Sequence, residues 1–282
     1  MSSEIEWYGQ TLSPDLKYLE LFGLADYHRG NPFSDRNCWL RAIDYIANKP
    51  EAYAVLVGDL CECVTKTSKG DIHRQKETPQ QQWHAIIDDL MPIKHKILGA
   101  TGGNHEARIY ENTGIDITWE VANGLHIPYD PDGILLKISF GNFNNRTAGM
   151  PFVYWVHATH GYGGARTRGG KLSKVERMAS YVLADVAMMG HDHDAAILPY
   201  EVLAPDPRGT KTEGGWTHGK VKAHRTLLVK CSAFLKWGGY ARGKGFAPST
   251  LIPPTVLLGG EEKPWPMASP ARRNQPEVRG VL

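Results

Sequence analysis

A chain of 282 residues, 41% hydrophobic and carrying a net charge of +2, has apolar material for a sizeable core and no strong overall charge bias. Its mean hydropathy of -0.37 is that of a soluble protein, and no run approaches the ~18 uninterrupted apolar residues of a membrane span. The start, Met1-Ser2-Ser3-Glu4-Ile5-Glu6, lacks the basic and apolar stretches of a signal peptide, so a cytoplasmic address without a membrane partner is expected.

Runs rich in Val, Ile, Leu and Tyr predict strands at 18–25, 53–57, 96–100, 134–140, 152–157, 186–189, 226–231 and 255–258. Ser34 is placed to cap a helix over 35–47, with Trp39, Ala42, Ile43 and Ile46 on one face. Thr78 and Pro79 start a second helix that runs through Trp83, Ile86, Ile87 and Leu90. A third opens at Ser173, with Val175, Met178, Ala179 and Val182 turned inward. The first half alternates strand and helix as βαβ units do, and the later part is richer in strands. The expected fold is α/β: two packed mixed β-sheets flanked by helices, with the functional site at the C-terminal ends of the strands. One domain is expected over 1–260, with 64–77 as an inserted polar loop. Residues 261–282, with four prolines and three arginines, read as an extended or disordered tail.

Cys38, Cys61, Cys63 and Cys231 offer no two pairs at zinc-site spacing and read as free thiols. From Gly214 to Gly260 there is no acid, while Lys220, Lys222, Arg225, Lys230, Lys236, Arg242 and Lys244 are cationic. Such a run is either a solvated face or a surface for a phosphate-bearing partner.

Chemistry concentrates in five short clusters: Asp26-Tyr27-His28, Gly58-Asp59, Gly103-Asn104-His105-Glu106, His160-Gly161 and Gly190-His191-Asp192-His193. Taken singly, each has an ordinary reading, since Asp caps helices, Asn sits in turns and His packs in cores. Together they supply carboxylates, an amide oxygen and imidazoles at strand ends, which is the donor set of a site for two divalent ions. Two glycine-rich stretches flank them. Residues 161–171 carry Arg166 and Arg168, and 237–246 carries Tyr240, Arg242, Lys244 and Phe246. Arg166, Arg168, Arg242, Lys244 and Tyr240 are candidate substrate-binding residues, because guanidinium forks match phosphate oxygens and rings stack bases. The alternative is a flexible loop in the first case and a rigid turn in the second.

The clusters, in this order, resemble the calcineurin-like metallophosphoesterases. That family's pattern is Asp-x-His, Gly-Asp-x-x-Asp/Glu, Gly-Asn-His-Asp/Glu, a lone His, then Gly-His-x-His. Here it is filled by Asp26-Tyr27-His28, Gly58-Asp59-Leu60-Cys61-Glu62, Gly103-Asn104-His105-Glu106, His160 and Gly190-His191-Asp192-His193. The resemblance implies that Asp26, His28 and His193 hold one metal ion, that Asn104, His160 and His191 hold a second, and that Asp59 bridges them. It implies two divalent ions, manganese first, with iron, zinc, nickel and magnesium as alternatives. A hydroxide between the ions would attack phosphorus in line, His105 would protonate the leaving oxygen, and Glu62 would accept a hydrogen bond from His105. His160 is preferred to His157 because the family places a glycine directly after this ligand.

The implied partner is a phosphate ester, DNA or RNA among the candidates. The favoured activity is hydrolysis of phosphodiester bonds in nucleic acid or nucleotides, as in the DNA-repair exonuclease branch. A phosphomonoesterase, acting on small molecules or proteins, is the alternative. Protein phosphatases carry Asp-Arg-Gly where this chain has Glu62-Cys63-Val64, which counts against them. The reading from a different class is a metal-bound scaffold without catalysis.

Overall fold

The strand Ala52–Val57 (β3) is apolar throughout because both of its faces are covered. Ala52, Ala54 and Leu56 pack toward helices, while Val55 and Val57 pack toward a second sheet. This two-sided burial sets the architecture, an α/β sandwich of two mixed sheets with helices outside. The structure is a computed structural model and describes residues 6–66, 68, 72–142, 150–243, 245, 247–248, 250–261 and 278–282.

One sheet runs, in spatial order, β12 (Val278–Val281), β11 (Thr255–Gly259), β2 (Tyr18–Leu24), β3, β4 (Ile97–Thr101) and β5 (Tyr129–Asp130). The other runs β1 (Trp7–Thr11), β6 (Ile134–Phe140), β7 (Phe152–Thr159), β8 (Val186–Met189), β10 (Thr217–Lys230) and β9 (Ala196–Lys211). β2, β3 and β4 are mutually parallel, as are β7, β8 and β10. Their C-terminal ends therefore open on one edge of the sandwich, where Asp26, Asp59, Asn104, His160 and His191 follow.

Between the sheets lie Leu19, Leu21, Val55, Val57, Phe140, Tyr154, Met188 and Val229, all buried. Outside the first sheet pack α1 (Arg36–Asn48), α2 (Pro79–Leu90) and α4 (Ile117–Leu125), which bury Trp39, Ile86 and Val121. α5 (Arg168–Tyr181) covers the second sheet through Val175 and Met178. α3 (Asn104–Thr113) starts at the site itself, and a short α6 (Gly239–Gly243) stands beside it.

Local chemistry explains the helix starts and corrects two of the expectations. α2 begins where predicted, in a capping box between Thr78 and Gln81. α1 is capped by Asp35, whose Oδ1 accepts from Cys38 N at 3.0 Å, and not by Ser34. Ser34 Oγ instead donates to the carbonyls of Tyr27 and His28. α5 starts at Arg168, capped by Thr167, so Ser173 is an interior residue donating to Gly170 O. Gly169 and Gly170 suggested a loop, but in a capped first turn their low helix propensity is outweighed.

The strand expected at 226–231 is the buried end of a longer one. β9 and β10 form a hairpin whose outer part, from Thr217 to Ala223 on β10, is exposed. Of the expected insert, the described part contains a single 3-10 turn, Ile72–Arg74. Of the tail, Val278–Val281 is an extended strand paired with β11. The four cysteines are free thiols, three of them buried. Among the described residues, no helix is long and apolar enough to cross a membrane.

Candidate metal centre

The turns that leave the strands are strained. Asp26 (φ 53°), His28 (51°), Asp59 (51°), His191 (70°) and His193 (51°) all occupy the left-handed region, with Cys63 and His126 the other non-glycine cases among the described residues. Each such conformation costs about 1–3 kcal/mol, so these backbones are bent to aim side chains. Gly103 is needed for close approach. A Cβ there would stand 2.1 Å from Asp59 N and 2.3 Å from Glu106 Oε2.

Two groups of donor atoms result, joined by Asp59. In the first, His193 Nε2 lies 3.2 Å from Asp26 Oδ1 and 3.1 Å from His28 Nε2. In the second, His160 Nε2 lies 3.0 Å from Asn104 Oδ1 and 3.1 Å from Asp59 Oδ2, and His191 Nδ1 lies 2.7 Å from Asn104 Oδ1. Asp59 Oδ2 is also 3.9 Å from His28 Nε2. Asp26–His28–His193 and Asp59–His160–His191 each have the spacing to hold a cation. A third grouping of that kind, His28–Asp59–His105, overlaps both.

Hydrogen bonds on the far side fix the imidazoles. His160 Nδ1 donates to Val57 O at 2.9 Å, and His191 Nε2 donates to Gly163 O. His28 Nδ1 is 3.1 Å from Glu62 Oε2, an ion-pair distance rather than a well-aligned hydrogen bond. The remaining ring nitrogens point inward, as metal-binding histidines backed by carbonyls or carboxylates do. Asn104 Oδ1 faces the inward nitrogens of His160 and His191, and Asp26 Oδ1 is buried without a hydrogen-bond donor. Acceptors so crowded call for a cation between them, so the residues present fit a pair of divalent ions.

The electrostatics agree. Burial alone would push His160 down, but Asp59 and Asp26 outweigh it and raise it to about 10. Burial likewise disfavours the charge of Asp59, yet the imidazoles of His160 and His105 hold it well below the usual carboxylate range. Glu106 is the reverse case, pushed up to about 8 by burial and by Asp59. Its two oxygens accept from Asp59 N and Cys61 N at 3.1 and 2.8 Å and so hold the Asp59 turn.

His105 sits beside both groups, its Nε2 3.8 Å from Asp59 Oδ2. Its Nδ1 donates to the backbone carbonyl of Glu62 at 2.9 Å and is 3.6 Å from that residue's carboxylate. The carboxylate is turned toward His28 instead. His157 is buried in β7, where burial pushes it down to about 4, and only His160 reaches the centre.

Behind the Gly190–His193 turn lies a feature that sequence reasoning missed. Asp192 Oδ1 accepts from Lys174 Nζ and its Oδ2 from Lys230 Nζ, each at 2.7 Å, and Lys230 also donates to Gly190 O at 2.7 Å. Lys230 is 0% exposed. Two ammonium groups thus clamp the turn that points His191 and His193 in opposite directions. Lys230→Met is expected to destabilise the fold by about 3 kcal/mol, the scale of a broken buried ion pair, as read from urea denaturation. Unchanged stability would show the pair to be incidental.

The centre floors a cleft of about 540 Å³. Its lining includes His105, Arg108, Lys171, Phe33, Lys236 and Trp237. Of the candidate substrate-binding residues, Arg166 is exposed and outside this lining. Arg168 donates to Ala195 O at 3.1 Å and so braces the His193 turn rather than facing the cleft. Arg242 lies in α6 with its guanidinium 6.0 Å from the Trp237 ring centre. Tyr240 is in the same helix, its side chain outside the described residues, as is all of Lys244. Arg108 was missed, although its place one turn after Asn104 on a helix was the available signal.

No protein-family model matches the chain, and no curated protein matches it in sequence. Solved structures do. A protein described as a predicted phosphoesterase, from Streptococcus pneumoniae TIGR4, is 11% identical, with 86% of this chain and 83% of that one covered and a TM-score of 0.35. Vps29 of Chaetomium thermophilum is 8% identical over 94% of this chain and 97% of its own, with a TM-score of 0.39. The NAD nucleotidase of Haemophilus influenzae is 11% identical over 86% of this chain and 47% of its own, with a TM-score of 0.36. In the order of its motifs, its two packed sheets and the side chains gathered at their strand ends, the chain resembles the calcineurin-like metallophosphoesterases.

Proposed function

We propose that the protein is a phosphoric ester hydrolase dependent on two divalent metal ions, acting on phosphodiesters. Asp26, His28 and His193 would hold one ion, Asn104, His160 and His191 the other, and Asp59 both. Ions so bound supply Lewis acidity and an activated water. The observation that carries the reading is the convergence of these carboxylate, amide and imidazole groups, with His160 and His191 fixed from behind by backbone carbonyls.

His105 is the proton-transfer group. Burial pushes its imidazole down to about 4, so without substrate it is neutral, with the Nδ1 proton given to Glu62 O. Nε2 must gain a proton before it serves as an acid, and an anionic ester beside it supplies the charge that favours this.

Charge in the cleft supports a diester. Lys171 and Lys236 are already paired with Asp194 and Asp35, at 3.3 and 3.2 Å. The guanidinium of Arg108 has no hydrogen bond or ion pair among the described residues; its carbonyl accepts from Asn112 Nδ2. Beside the ions these residues would hold, Arg108 offers one guanidinium to a remaining non-bridging oxygen, as a phosphodiester presents. The acid-free segment adds little to this, because Lys222, Arg225 and Lys230 are paired with Asp206, Glu201 and Asp192. This favours nucleotide-sized esters over a long polyanion. The manganese-loaded protein is expected to hydrolyse bis-p-nitrophenyl phosphate well ahead of p-nitrophenyl phosphate, with a labelled single-stranded oligonucleotide as the polymeric comparison. The reverse order for the first two would refute the diester reading.

A further inference from the structure

The cleft over the centre is lined by unlike groups. Arg108, on α3, is one of its cationic residues. Phe33, Leu235, Trp237, Gly238, Ala241 and Ala247 supply apolar lining, and the charged lining residue beside them, Lys236, is paired with Asp35. A volume near 540 Å³ is in the range that accommodates a drug-sized ligand and far exceeds what a phosphoryl group fills.

The apolar lining is built rather than merely exposed. Phe33 packs its ring against the backbone of Gly238 and Gly239, where an added Cβ would fall 2.4 and 2.5 Å from ring carbons. Lys236 N donates to Phe33 O at 2.9 Å, its Nζ is 3.2 Å from Asp35 Oδ2, and Ser34 bridges Leu235. The segment carrying Trp237 is thereby tied to the turn that follows His28. Trp237 itself is 47% exposed at the cleft, with Arg242 over its ring. An indole held in place at the lip of a polar site, and flanked by a guanidinium, recognises a planar ring by stacking.

We infer that Trp237 is the stacking surface for a ring-bearing substituent of the ester, a nucleoside in chemical class, while Arg108, which lines the same cleft, binds a non-bridging phosphoryl oxygen. The inference rests on the phosphodiester reading above. It is tested by inhibition of bis-p-nitrophenyl phosphate hydrolysis by two poorly cleaved diesters, the methyl ester of thymidine 5′-monophosphate and dimethyl phosphate. The manganese-loaded wild type should prefer the nucleoside ester by at least about 10-fold, the scale of one stacked base. Trp237→Ala should reduce that preference to near unity and Trp237→Phe should retain it. Arg108→Met should weaken both inhibitors alike. Equal inhibition by both in the wild type, or an undiminished preference in Trp237→Ala, would overturn the inference. If Trp237→Ala does not fold, Trp237→Leu is read by the same criterion. Failure of the wild type to hydrolyse any phosphate ester would defeat the phosphoesterase reading instead.

Discussion

Asp59→Asn is expected to strip most of the bound metal from a protein that stays folded. Asp59 stands between the two donor groups, 3.1 Å from His160 Nε2 and 3.9 Å from His28 Nε2. Asn keeps the shape and an oxygen able to accept from His105 N, a bond now 2.8 Å long. Asn also tolerates the left-handed backbone at this position better than most residues, so the turn should survive. What disappears is the negative charge between the two donor groups. A loss of about 100-fold or more in metal affinity follows, beyond the effect of removing a group that only orients a ligand. Elemental analysis after dialysis, with circular dichroism as the folding control, gives the answer. Two ions still bound per chain would refute the bridging role.

The second large effect is expected at His105. His105→Ala should slow turnover by about 100-fold or more while leaving the metal content intact, since it removes proton transfer and no assigned ligand. The result also resolves an ambiguity of geometry, because His105 lies within ligating reach of His28 and Asp59. A variant that loses an ion would make His105 a ligand. One that keeps full activity would show that proton transfer lies elsewhere.

Much of this fold is legible in the chain because apolar runs end at glycines or polar residues. β6 matches its predicted span of 134–140, and β3, β4 and β8 lie within a residue or so of theirs. The gathering of Asp26, Asp59, Asn104, His160, His191 and His193 follows from parallel strands ending together. Other features depend on partners remote in sequence. β1 pairs with β6 and β12 with β11, and their own patterns are too short to announce it. α3 begins with Asn104, His105 and Glu106, polar residues that read as a motif and conceal a helix start. A lysine in a strand, such as Lys230, reads as exposed, and only Asp192, 38 residues earlier, makes its burial affordable. The basic run after Gly214 looked like a surface, but acids from other segments neutralise much of it. Arg166 and Arg168 were drawn toward the site by sequence proximity, whereas the capped start of α5 carries Arg168 out to Ala195.

The order of strands in the sheets has a bearing on synthesis. β2 finds β3 soon after both leave the ribosome, with α1 between them. Its other edge stays open until β11 arrives at Thr255, and the turn bearing His191 and His193 lacks its Lys230 clamp until β10 is made. The last of the donors, His193, therefore precedes the strands that brace it, and the turns of the centre are held only once β10 and β11 have followed. Bracing of the centre is set by topology and not by any local sequence signal.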